Sequence, residues 1–168
     1  MRRSTAVALA LAHALPRGAR AASSCAIEPA ASVDLIKFRG LAGGAPIVPA
    51  ALRGRAVLVV NTASYCGYTK QLASLQALHE RFAPAGLVVL GVPSNDFGGQ
   101  EPDAEEKVRA TYADAWGVTF PLAGKTPVTG GEAHAFYLHL QHKLGDAGAP
   151  PWNFMKYLLG RAGDVVGM

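Results

Sequence analysis

The chain has 168 residues, half of them hydrophobic and 17% charged, which is enough for one domain with a core and unlike a disordered or collagen-like composition. Its net charge of +4 comes from Arg2, Arg3, Arg17 and Arg20; residues 1–22 hold no acid, and the rest of the chain balances 12 basic against 12 acidic residues. No basic stripe for nucleic acid is left, and two cysteines, Cys25 and Cys66, exclude a disulfide framework as the architecture.

The N-terminus, MRRSTAVALALAHALPRGARAASSC, has a basic start, a short apolar run from Ala6 to Leu15, then Pro16 and small residues. "ARA" at 19–21 suits a signal peptidase, so residues 1–21 are expected to be a cleaved export signal, by a Sec or twin-arginine route, for a periplasmic protein. The run is too short for a membrane span, and no other segment approaches one. Residues 22–31 read as a tail that carries Cys25, and residues 32–168 as the domain.

SVDLIKF (32–38) and APIVPAAL (45–52) read as short strands around the turn material RGLAGG, which predicts a small hairpin. RAVLVVNTA (55–63) is a continuous valine-rich run, the pattern of a strand buried on both faces. From about Thr69 to Phe82, Leu72, Leu75, Leu78 and Phe82 recur at helical intervals. GLVVLGVPS (86–94) is a second buried strand. Ala104 to Trp116 is a more polar helix with Asp103, Glu105 and Glu106 about its first turn, where the helix dipole favours acids. Glu132 to Leu144 is a further helix. MKYLL (155–159) and DVVGM (164–168) are closing strands. This order predicts an α/β sandwich with a partly parallel sheet, and functional groups at the carboxyl ends of its strands.

Cys66 sits where the first buried strand meets the first helix. The free N–H groups and partial positive charge of a helix N-terminus favour a thiolate, the reactive form of cysteine. Thr69 occupies the place where a Cys-x-x-Cys redox site carries its second sulfur. Chemistry with one sulfur suggests attack on something other than a disulfide, such as a peroxide. The opposing reading is a buried small hydrophobe. Two further stretches bear on the choice: VPSNDFGGQEP (92–102) after the second strand and PWNFMKYLL (151–159) entering the third.

Together "NTASYCGYT", "VPSNDFGGQEP" and "WNFMKYLL" resemble the glutathione peroxidase family, in order and in spacing, and the likeness extends over residues 32–168 through WGVTFPL (116–122). The resemblance implies a thioredoxin-like three-layer sandwich with an N-terminal β-hairpin. It implies a peroxidase that reduces hydrogen peroxide and organic hydroperoxides with thiols, in defence against oxidative stress, with no metal, flavin or haem cofactor. The family's catalytic tetrad falls on Cys66, Gln100, Trp152 and Asn153. The last three are neutral N–H donors, suited to holding a thiolate without a tight ion pair and to meeting charge on a leaving oxygen.

Departures from the family pattern shape the remaining expectations. Ala110, Thr111, Tyr112 and Ala113 stand where many members carry a resolving cysteine, and Ser94 where some carry another. The resolving sulfur is therefore expected from outside, from glutathione in preference to a thioredoxin-like reductant, with Cys25 a less favoured source. Asp96 replaces a glutamine and would disfavour the thiolate if it turned inward. The family usually continues into a helix after the last strand, whereas this chain stops at Met168. A missing helix is expected to leave a sheet face partly bare, with lower stability or self-association. The short stretch from Gln141 to Pro151 leaves little room for a subunit-contact element, which favours a monomer. His134, His139 and His142 share one predicted helix without a third ligand and read as surface or packing residues. The competing readings are a thioredoxin-type thiol–disulfide exchange protein, weakened by Thr69, and a degenerate member without activity. A peroxiredoxin would need threonine at 63, where Ala63 stands.

Overall fold

A computed structural model describes residues 31–168. The expected export signal, the tail and Cys25 lie outside the described residues.

The valine-rich run forms β1, Ala56–Thr62, and the second apolar run forms β2, Leu87–Pro93. Helix α1, Gln71–Phe82, joins them, and the two strands pair in parallel from Ala56 opposite Leu87 to Thr62 opposite Pro93. Helix α2, Glu105–Trp116, and helix α3, Ala135–Leu144, follow. Strands β3, Lys156–Leu159, and β4, Val165–Gly167, close the sheet, with β3 antiparallel to β1. The four strands lie in the order β2-β1-β3-β4. Both long strands are central or fully covered, which is why their apolar side chains run without alternation.

Two apolar clusters flank the sheet. Val57, Val59, Leu90, Val92, Tyr157 and Leu159 pack with Phe136, Tyr137 and Leu140 of α3 and with Ile36 and Phe38. Val60 and Val89 pack on the other face with Leu72 and Leu75 of α1 and Val108 and Tyr112 of α2. Successive residues of β1 thus serve opposite layers, as strand geometry requires. Gly91 sits in the middle of β2 because the segment after α2 lies against it. A β-carbon there would stand 2.6 Å from Leu122, and Gly91 exchanges backbone hydrogen bonds with Pro121 and Ala123.

The expected N-terminal hairpin is reduced to a single bridge between Phe38 and Ile47. Most of the rest of 32–52 forms short 3-10 turns, Ser32–Leu35, Leu41–Gly43 and Pro49–Ala51. Pro49 starts the last of these and cannot donate to a strand ladder, and Gly43 has φ of 73°. Val33, Ile36, Phe38 and Ile47 are buried all the same. Helix α3 starts three residues later than expected, after Gly130 (φ 73°) and a turn from Ala133 back to Gly130.

The face of the sheet beside α1 is partly open. Leu58, Leu78, Phe82, Leu87 and Leu158 line an apolar groove of about 430 Å³. Among the described residues no helix is long and apolar enough to cross a membrane.

Candidate active site

Cys66 is half-buried and packs against the cluster that contains Leu72 and Phe154. It lies in a run of turns, residues 64–70, five residues before the first residue of α1, and not in the first helical turn itself. Thr69 organises this run. Its hydroxyl oxygen accepts the Cys66 N–H at 3.1 Å, and its proton is shared among the carbonyls of Cys66, Ala63 and Ser64 at 2.7, 2.8 and 3.3 Å. The Thr69 N–H returns to the Cys66 carbonyl. Thr69 is buried, so its place in the Cys-x-x-Thr segment is structural. The Tyr68 N–H reaches the Cys66 sulfur at 3.4 Å, a helix-entry donor of the kind that stabilises a thiolate.

Gln100 and Asn153 come together: the Asn153 Nδ2 donates to Gln100 Oε1 at 2.9 Å. This fixes the amide of Gln100, whose NH₂ is left to face elsewhere. The Gln100 carbonyl accepts the N–H of Tyr65, the residue before Cys66. Trp152 is joined to the same strand end through its backbone, for Asn61 Nδ2 donates to the Trp152 carbonyl at 3.0 Å. The Phe154 N–H donates to the Asn61 carbonyl at 2.6 Å. Phe154 holds a φ of 65°, an uncommon conformation for a bulky residue, and the buried ring and this hydrogen bond over-determine it. The indole of Trp152 is 42% exposed and packs on Phe97 with ring centroids 5.4 Å apart.

The four expected site residues therefore gather at the carboxyl end of β1 and β2. No hydrogen bond runs from Gln100, Trp152 or Asn153 to the Cys66 sulfur; the one side-chain link within the set is that from Asn153 to Gln100. Tyr65 and Tyr68 flank Cys66 with more than half their surface exposed, and Tyr65 Oη donates to Asp103 Oδ2 at 2.6 Å.

Asp96 does not turn inward. Its Oδ2 accepts the N–H groups of Val128 and Thr129 at 2.6 and 3.0 Å and the Thr129 hydroxyl at 3.2 Å, so it ties the loop after β2 to the 128–129 turn. Of the residues at the two resolving-cysteine positions, Tyr112 and Ser94 are buried, while Ala110 and Ala113 are exposed. The histidines are accounted for in part. His134 caps α3 through Nδ1, which accepts the Phe136 N–H, and its ring stacks on Phe38 with centroids 4.0 Å apart. Among the described residues no group of three or more His, Cys, Asp or Glu could hold a metal.

Sequence reasoning missed three residues. Asn61 is a buried amide that follows the valine-rich run of β1, which was signal enough to mark it. Thr69 was noted only for the sulfur it lacks. Glu101 is wholly buried beside Gln100, and its Oε2 accepts the Tyr112 hydroxyl at 2.8 Å. Burial pushes this carboxyl above the usual carboxylate range, while the nearby Ser64 hydroxyl and N–H and the hydrogen bond from Tyr112 oppose the shift.

Residues 38–141 match the family model described as glutathione peroxidase. The hydroperoxy fatty acid reductase gpx1 of Synechocystis sp. is 41% identical over 131 residues, covering 73% of this chain and 78% of the relative. The glutathione peroxidase-like peroxiredoxin gpx1 of Schizosaccharomyces pombe is 39% identical over 125 residues, covering 73% and 79%. The crystal structure of Trgpx in apo form superposes with a TM-score of 0.62 at 35% identity, covering 83% of this chain and 84% of that one. With a family match over most of the described residues and a thioredoxin-like architecture in which Cys66 follows β1 and Gln100 follows β2, the chain belongs to the glutathione peroxidase family and is a thiol-dependent peroxidase.

Proposed function

We propose that Cys66 is the peroxidatic residue, with Gln100, Trp152 and Asn153 as its donors, and that an external thiol, glutathione in the first place, completes turnover. The thiolate of Cys66 attacks the terminal oxygen of a hydroperoxide. An S–O bond forms as the O–O bond breaks, and the remaining oxygen takes a proton and leaves as water or an alcohol. Neutral N–H donors meet the charge that grows on that oxygen. One thiol then condenses with the sulfenic acid to give a mixed disulfide and water. A second thiol attacks that disulfide, freeing Cys66 and a low-molecular-weight disulfide.

The observation that carries this reading is the Asn153–Gln100 hydrogen bond at 2.9 Å beside the turn that holds Cys66. It orients the Gln100 amide with the Gln100 carbonyl already fixed to Tyr65. Exposed Tyr65, Tyr68 and Trp152 offer apolar surface next to the thiol, which supports organic hydroperoxides with long apolar chains as substrates. The relative named for hydroperoxy fatty acids supports the same class. Export to the periplasm rests on the pattern of residues 1–21 alone, and fractionation of cells expressing the full chain tests it.

Steady-state consumption of hydrogen peroxide and cumene hydroperoxide, with glutathione or thioredoxin in parallel, tests the function. Turnover with glutathione that vanishes in Cys66→Ser is the expected result. Turnover with thioredoxin alone would overturn the choice of reductant and make Cys25 the first residue to substitute.

A further inference from the structure

Glu101 is the one fully buried acidic side chain among the described residues, and the reaction described above does not use it. A carboxyl shielded from water weakens folding unless its oxygens are met by donors or a cation. Here one oxygen is met. Oε2 accepts the Tyr112 hydroxyl, while Oε1 is buried with no hydrogen-bond partner. The groups turned towards it are the Ser64 hydroxyl and N–H, the Tyr112 phenol from α2 and, at longer range, the charge of Lys125. Ser64 Oγ likewise has no partner elsewhere, so the two face each other without closing a well-formed hydrogen bond. Stability alone gives no account of a carboxyl in this place.

Its position does. Thr62 and Ser64 point to the α2 side of the sheet, and their hydroxyls face Tyr112. Asn61, of opposite parity, points to the other side and holds the Trp152 segment. The strand end that leads to Cys66 is thus flanked on two sides. On the α2 side it meets Tyr112 and Glu101, which are hydrogen-bonded to each other. The Glu101 N–H donates to Asn95 Oδ1 at 2.8 Å, which fixes Glu101 to the loop after β2. Its neighbour Gln100 accepts the Tyr65 N–H. Of two consecutive residues, Gln100 therefore holds Tyr65, the residue before Cys66, and Glu101 faces Ser64 next to it.

We infer that Glu101 is a positioning residue for the peroxidase reaction: through Ser64 and Tyr112 its carboxyl sets the placement of the Cys66 turn relative to the Gln100 amide. It does so by shape and hydrogen bonding, and an uncharged amide of the same size can replace it. The inference rests on the reading of Cys66 as the peroxidatic residue.

The test uses the full chain and three variants, Glu101→Ala, Glu101→Gln and Tyr112→Phe. The first readout is the single-turnover rate of Cys66 oxidation by cumene hydroperoxide. The second is the pH profile of Cys66 alkylation by iodoacetamide, which reports on the turn whether or not Cys66 meets the peroxide. Thermal melting accompanies both. Misplacement by a fraction of an ångström to an ångström predicts a ~10- to 100-fold slower oxidation in Glu101→Ala, with a displaced alkylation profile. Tyr112→Phe moves both in the same direction by less, and serves alone if the alanine variant does not fold. Glu101→Gln restores the wild-type rate and profile. A folded Glu101→Ala or Tyr112→Phe that reacts at the wild-type rate with an unchanged profile would overturn the inference. So would a Glu101→Gln variant as slow as Glu101→Ala, because charge rather than placement would then matter. Cys66→Ser runs beside them: peroxide consumption that survives it defeats the reading of Cys66, separately from anything Glu101 does.

Discussion

Replacing Thr69 with valine keeps the size of the side chain and removes only its hydroxyl. In the structure that hydroxyl accepts the Cys66 N–H at 3.1 Å and donates within the turn, to the Cys66 carbonyl at 2.7 Å and the Ala63 carbonyl at 2.8 Å. The Cys66 carbonyl keeps its bond from the Thr69 N–H, so the main loss is at the Cys66 N–H, left without a partner in a partly buried turn. A net hydrogen bond contributes about 0.5–1.5 kcal/mol, and a stranded buried donor costs about 1–3 kcal/mol. The variant is therefore expected to be less stable by about 2 kcal/mol, a drop in Tm of about 4–8 °C for a chain of this size. The freed turn also carries the nucleophile, so Cys66 oxidation slows by roughly tenfold. Thr69→Ser keeps the hydroxyl and recovers most of both. Differential scanning calorimetry and stopped-flow oxidation measure the two effects. A Thr69→Val protein that melts and reacts like the wild type would refute the account of the turn.

Three further outcomes follow from the same structure. Hydrogen bonds from the Arg39 guanidinium, followed by those from the Ala42 and Lys125 N–H groups, hold the Glu105 carboxyl down at about 2, below its ordinary 4.5. A depressed carboxylate stabilises the fold above pH 4.5, and that contribution disappears as pH falls towards 2. Arg39 is 63% exposed, so after screening it amounts to about 1–2 kcal/mol, and Glu105→Gln should flatten the acid limb of a denaturation-versus-pH curve in that window. Burial keeps His134 neutral, below the ordinary 6.5 of histidine, with its Nδ1 accepting at the start of α3. Its contribution is present above pH 6.5 and fades as pH falls below it, so His134→Gln should lose stability at pH 7.5 and show a shallower decline between pH 6.5 and 5 in urea titrations. Asp96→Ala removes the acceptor for Val128 and Thr129 and should cost about 1–3 kcal/mol by chemical denaturation. Because that carboxylate faces the 128–129 turn and not the thiol, the rate of Cys66 oxidation in the folded variant should stay at the wild-type value.

The two long strands were legible in the sequence because burial on both faces leaves an unbroken apolar run, and α1 because Leu72, Leu75 and Leu78 repeat at the helical period. Residues 32–52 misled. Val33, Ile36, Phe38 and Ile47 alternate with polar residues and turn formers as a hairpin would, yet burial asks only that these side chains face the core, and 3-10 turns meet that demand with one bridge. At the site, the motifs marked Cys66, Gln100, Trp152 and Asn153 as separate letters. The links between them join residues 53 and 91 positions apart, Gln100 with Asn153 and Asn61 with Trp152, and no periodicity encodes such pairs. Glu101 was hidden for a related reason. An acid after a glycine-rich loop reads as surface, and only the fold brings Tyr112 over it. The inward or outward turn of Asp96 was equally beyond the sequence, because it depends on where Val128 and Thr129 come to lie.

The central claim, that Cys66 is the atom-transfer site, is tested most directly by mass spectrometry of the protein after one equivalent of cumene hydroperoxide with no reductant present. The account predicts one added oxygen on Cys66, trapped by dimedone as a sulfenic acid adduct, together with one equivalent of the alcohol, and neither product in Cys66→Ser. Alcohol released in equal amount by Cys66→Ser, or by a wild-type protein whose Cys66 stays unmodified, would contradict it.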